Sequence, residues 1–122
     1  MANDFKRFTK PDVGTSTGAS ADAVYTVPAG AGSTALESII IGITLANKTA
    51  AGITASVFLD NYDGSNDVYI VKDATIPAGS SLEVMSGNKI VVQNDGSTGD
   101  VIRVSSGTAT AIDATVTVLE DV

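Results

Sequence analysis

The sequence predicts an all-β fold, an antiparallel β-sandwich of jelly-roll type with about eight strands and an N-terminal extended arm. Three observations predict it. Apolar residues recur with a period of two, most clearly in Ile39, Ile41, Ile43 and Leu45 and then in Ile53, Ala55, Val57 and Leu59, the signature of strands with one buried face. Turn signals interrupt the chain every ~8–12 residues, as in sandwiches and jelly rolls. No window carries a helical pattern; the stretches without strand alternation are rich in Gly, Pro, Ser and Thr.

Residues 1–21 read as an arm and linker, and residues 22–122 as a single sandwich domain. Met1 to Lys10 holds Lys6, Arg7 and Lys10, three of the seven basic residues, and Phe5 and Phe8, two of the three Phe. Pro11 and the small-residue run Gly14 to Ser20 follow, a composition that favours flexible chain. The alternative reading makes this segment a first strand that completes the sheet. As an arm it would dock, with Phe5, Phe8 and the basic Lys6, Arg7 and Lys10 meeting a partner.

The body then divides into strands in order. Ala23 to Val27 has Tyr25 and Val27 facing inward and stops at Pro28-Ala29-Gly30, since Pro cannot donate to a ladder and Gly permits the turn. Leu36 to Ala46 is the strongest strand, and Ile53 to Asp60 follows the turn Asn47 to Gly52. Asn61 to Asn66 is a polar loop, and Val68 to Lys72 the next strand. Leu82 to Met85 and Lys89 to Gln93 flank Ser86-Gly87-Asn88 as a hairpin would. Val101 to Ser105 and Ile112 to Leu119 complete the set; in the last, Ile112, Ala114, Val116 and Val118 share one face. Val27-Pro28-Ala29-Gly30 recurs as Ile76-Pro77-Ala78-Gly79. The echo has no fixed period and suggests two corners of a sandwich built with one chemistry.

Composition bounds function. The chain of 122 residues has no His and no Cys, and neither does it contain Trp. The groups most used for proton transfer, thiol chemistry and zinc binding are therefore missing, and neither an enzyme nor a cofactor is expected. A net charge of −7 and a pI near 4.2 repel nucleic acid and anionic membranes over most of the surface. The longest apolar run, around Ile39 to Ile43, falls far short of the ~20 residues of a membrane helix. The first residues lack the apolar core of a secretory signal, so synthesis in a cytoplasm is expected.

Few side chains form a site by spacing. Asp60, Asp63 and Asp67 could surround a calcium ion, but the order departs from an EF-hand loop, so a solvated turn and no metal are expected. Glu37, Glu83 and Glu120 alternate with core positions, so exposure is their expected state. Gly14 to Gly18 lacks the Gly-Lys-Ser/Thr ending of a phosphate loop. Phe58, opposite Ile53, Ala55, Val57 and Leu59, Ile40, opposite Ile39, Ile41 and Ile43, and Leu119, opposite the face of Val116, are apolar residues on nominally outer faces. A second copy or a partner could cover them, unless the strands are buried on both faces. An aromatic platform for carbohydrate would come from Tyr25, Tyr62 or Tyr69.

The chain also resembles a family. Met1-Ala2-Asn3-Asp4-Phe5-Lys6-Arg7 with Val13-Gly14-Thr15-Ser16, Tyr25 to Ala29, Ile41 to Thr49, Val68 to Ala74 leading into Ile76 to Glu83, and Asp113 to Glu120 are similar to segments of small virion structural proteins of tailed bacteriophages, marine ones especially. The resemblance implies a non-enzymatic part of a phage particle and carries no catalytic residues. A capsid decoration or cement protein is the leading expectation, homo-oligomeric and partnered by the major capsid protein or another virion protein. A tail, neck or fibre-base component is the alternative, and a host-surface or carbohydrate-binding module the second.

Overall fold

The computed structural model describes residues 3–62, 67–85 and 87–121. Among these residues nine strands run β1 (Asn3–Lys10), β2 (Asp22–Thr26), β3 (Leu36–Asn47), β4 (Ile53–Asp60), β5 (Asp67–Ile76), β6 (Ser81–Glu83), β7 (Ile90–Asn94), β8 (Val101–Ser106) and β9 (Ile112–Asp121). One 3-10 turn, Gly18–Ser20, is the sole helical element among the described residues.

Two antiparallel sheets form the sandwich. The first has the order β1-β9-β3, with β6 and β7 both pairing β3; the second is β2-β8-β4-β5. Taken as one interrupted strand, β6 and β7 complete a nested set of pairs: β1 with β9, β2 with β8, β3 with β6/β7, and β4 with β5. A long hairpin rolled up so that its pairs fall alternately into two sheets is the jelly roll. The expected hairpin between Leu82 and Gln93 does not form. β6 joins Thr44 to Ala46 and β7 joins Leu36 to Ile40, end to end along the same strand. Ser86, the first residue of that expected turn, lies outside the described residues, as do Asp63 to Asn66 of the polar loop.

The core is aliphatic, with Ile43, Leu45, Val57, Val104, Val116 and Val118 fully buried between the sheets. β9 shows the expected alternation, with every second residue from Ile112 buried. β3 does not. A β-bulge at Ile41 shifts its register against β9 between Ile40 and Gly42. Leu36, Ser38 and Ile40 therefore point inward before the bulge, and Ile43, Leu45 and Asn47 after it. An extra residue reverses the pleat, so Ile39 and Ile41, expected inside, lie on the outer face, and Ile40 is in the core.

The segment 1–21 is also different from a free arm over its described part. β1 pairs β9 along its whole length. Val13 is fully buried, its N–H donating to the Ile112 carbonyl at 2.9 Å. The Gly14 N–H donates to Asp22 Oδ2 at 2.7 Å, and Lys48 bridges the carboxylates of Asp12 and Asp113. The alternating side chains of residues 4–10 and the unpaired edge of β9 explain this: the strand fills a ladder that would otherwise be open.

Candidate functional site

Pairing with β9 sorts the predicted docking residues onto two faces, because directly opposed residues in an antiparallel ladder share a face. Lys6, Phe8 and Lys10 oppose Val118, Val116 and Ala114 and face inward. Phe8 packs on Tyr25 with ring centroids 4.6 Å apart. Lys6 reaches Glu120 Oε1 at 2.8 Å. Phe5 and Arg7 point the other way, and Phe5 is 76% exposed.

Phe5 is not alone there. It opposes Leu119, Leu119 opposes Ile39, and Ile39 opposes Val91. The four residues form one apolar row across β1, β9, β3 and β7 on the outer face of the first sheet. Its ends are open, with Val91 59% exposed, and Leu119 and Ile39 are half-buried between them. The row exists because the β3 bulge turns Ile39 outward; the sequence pattern, which places Ile39 inside, hides it.

Glu120 is a second surprise. Its position on the Ile112–Val118 face makes it 1% exposed rather than solvated. Tyr25 donates its hydroxyl to Glu120 Oε2 at 2.7 Å and stands 2.8 Å from Ser38 Oγ. The ammonium of Lys6 caps the other oxygen from the β1 edge, so the buried charge is paired. Burial raises the Tyr25 phenol well above its usual value, despite the opposing effect of its hydrogen bond to Ser38. The Lys6 ammonium is raised chiefly by its hydrogen bond to Glu120. The cluster fastens β1, β2, β3 and β9 together.

The outer face of the second sheet is different. Phe58 does lie opposite the core residues of β4, yet it is 1% exposed. Tyr69 lies against it with centroids 5.3 Å apart. Two register shifts in the β4–β5 ladder, at Ala55/Val57 and Val57/Phe58, make β5 bulge here. Lys72 and Asp73 stand out opposite Ser56. Asp73 takes a left-handed φ of 51° and donates its N–H to Ser56 Oγ at 2.9 Å. Between this bulge, the end of β8 and the segment Thr15 to Thr17 lies a cleft of about 430 Å³.

Asp60 accepts from Arg103 Nε at 2.9 Å, and Asp67 opposes Asp60 across the ladder; Asp63 lies outside the described residues. Among the described residues no group of three acidic side chains is placed to hold a metal ion. Of the predicted aromatic platform, Tyr25 is buried, Tyr62 is half-buried with its N–H bound by Asp100 Oδ1 at 2.7 Å, and Tyr69 is 45% exposed. No helix of the described residues is long and apolar enough to cross a membrane. Comparison with protein-family models, with curated proteins and with solved structures finds no match to this chain.

Proposed function

We propose that this protein is a non-enzymatic structural component of a tailed-bacteriophage particle, a capsid decoration or cement protein that docks through the outer face of its first sheet. The observation that carries the reading is the apolar row Phe5–Leu119–Ile39–Val91. A sheet face whose apolar residues continue from strand to strand is suited to burial against another protein. The jelly roll supports the reading as a fold shared by viral capsid domains, although a fold alone does not fix a function. The resemblance to small phage virion proteins read in the sequence points the same way. Many copies on a shell would turn one modest contact per copy into firm attachment wherever copies also bind one another.

Electron cryo-microscopy of the intact particle tests this. Density for the jelly roll at capsomer junctions, with the face bearing Phe5 and Val91 turned to the shell, is the expected result. Density at the neck, tail or fibres would replace decoration with a tail role, and density nowhere on the particle would overturn the virion reading.

A further inference from the structure

We propose that the cleft on the outer face of the second sheet is a binding site for a neutral saccharide unit. The proposal is independent of where the protein sits on a particle. The volume, about 430 Å³, lies within the range of ~300–1,000 Å³ typical of small-molecule sites. One wall is aromatic: Tyr69 is 45% exposed, and the buried Phe58 backs it at 5.3 Å. An aromatic face held rigidly from behind suits the C–H face of a pyranose ring, whose polarised hydrogens meet the negative π-surface.

The rest of the lining carries hydroxyls and a single pair of opposite charges. Thr17, Thr54 and Ser105 line the cleft, and each hydroxyl can both donate and accept, as a polyol requires. Lys72 and Asp73 also line it, and Lys72 Nζ sits over the Tyr69 ring, 5.4 Å from its centroid, so a sugar stacked on Tyr69 would meet or displace this ammonium. One cation beside one carboxylate leaves no net charge to attract a phosphate or a carboxylate ligand, while supplying a strong donor and a strong acceptor for sugar hydroxyls.

The backbone is specialised at the same point. Bulges re-aim side chains and concentrate beside binding sites. Here the bulge presents Lys72 and Asp73 together, with Asp73 at φ 51° held by Ser56 Oγ. A non-glycine residue in the left-handed region is a local cost that the Ser56 contact offsets, and the result is a carboxylate fixed at the cleft rim.

Backbone amide NMR of the full chain titrated with D-glucose, D-galactose, D-mannose, N-acetylglucosamine and lactose tests the proposal, with glucose 6-phosphate as an anionic comparison. The expected result is a saturable shift with at least one neutral sugar, confined to residues 15–17, 54–58, 69–73 and 105–107. Tyr69→Ala should weaken it about tenfold. Asp73→Asn should weaken it by a similar factor, about tenfold, without altering the backbone, because Asn also tolerates the left-handed region. No shift with any neutral sugar, binding of the phosphate alone, or binding unchanged by both substitutions in folded variants would each overturn the proposal.

Discussion

Asn47 and Asn94 make the same joint at opposite ends of β3. Asn47 Nδ2 donates to the Ile76 carbonyl at 2.9 Å, and Asn94 Nδ2 donates to the Val27 carbonyl at 2.8 Å. Both carbonyls precede a Pro-Ala-Gly turn, at Pro77 and Pro28. Each Asn Oδ1 accepts an N–H two residues on, from Thr49 at 2.9 Å and from Gly96 at 2.7 Å. Both side chains are buried, and each ties the first sheet to an edge strand of the second. The repeated Val/Ile-Pro-Ala-Gly in the sequence thus marks two equivalent corners. Truncation at either strands a buried carbonyl, so Asn47→Ala and Asn94→Ala should each cost about 1–3 kcal/mol. The two sites are separated by the length of β3, ~35 Å, so the double variant should lose the sum within about 0.5 kcal/mol. Urea unfolding of the three variants checks both statements.

The Tyr25–Glu120–Lys6 cluster predicts an alkaline limit to stability. Tyr25, raised chiefly by burial, and Lys6, raised chiefly by its hydrogen bond to Glu120, both hold protons more tightly folded than unfolded. A raised folded pKa means the contribution is complete below the unfolded value and is lost as pH climbs through the folded one. The unfolded values lie near 10 for Tyr and about 10.4 for Lys. The melting temperature should therefore fall from about pH 10 upward, and Tyr25→Phe or Lys6→Met should flatten that slope. At neutral pH both variants should be less stable than the parent; Tyr25→Phe, which leaves Glu120 Oε2 without its donor, should lose about 1–3 kcal/mol. Thermal melts across the alkaline range, with tyrosinate absorbance followed in parallel, provide the check.

Much of this fold was legible because period-two alternation survives wherever a strand is regular. Ile112 to Leu119 of β9 and the inward face of β4 are read correctly residue by residue, and the turns at Pro28 and Pro77 by their chemistry. What pattern cannot show is an inserted residue. Ile39-Ile40-Ile41 is apolar at every position, so either phase looks sound until the bulge against β9 chooses Ile40. The same blindness hid the apolar row. It also hid the Lys72–Asp73 bulge, although Tyr69 could be named as an aromatic candidate. Glu120 departs for another reason: a carboxylate is expected in water, and Lys6 from the neighbouring strand β1 and Tyr25 from the opposite sheet make its burial tolerable. The choice of phase is measurable. Ile40→Ala should cost about 2–5 kcal/mol and Ile39→Ala less than about 1 kcal/mol. The opposite order in denaturant unfolding would reject the bulge.

Because β1 is a strand and not a loose arm, deleting residues 1–12 is the wrong way to test docking. The deletion uncovers the β9 edge, removes Phe8 from Tyr25 and takes Lys6 from the buried Glu120. It should yield an unstable, aggregating chain, and any loss of attachment would then say nothing about a surface. Point changes on the exposed row avoid this. Phe5→Glu and Val91→Glu alter side chains that are 76% and 59% exposed, so each should change stability by no more than about 0.5 kcal/mol. If the row is the docking surface, each places a charge in an apolar contact and should weaken attachment about tenfold or more. Binding to undecorated capsids, measured beside urea unfolding of the same variants, separates the two effects. Folded variants that attach as well as the parent would remove the outer face of the first sheet from consideration as the docking surface.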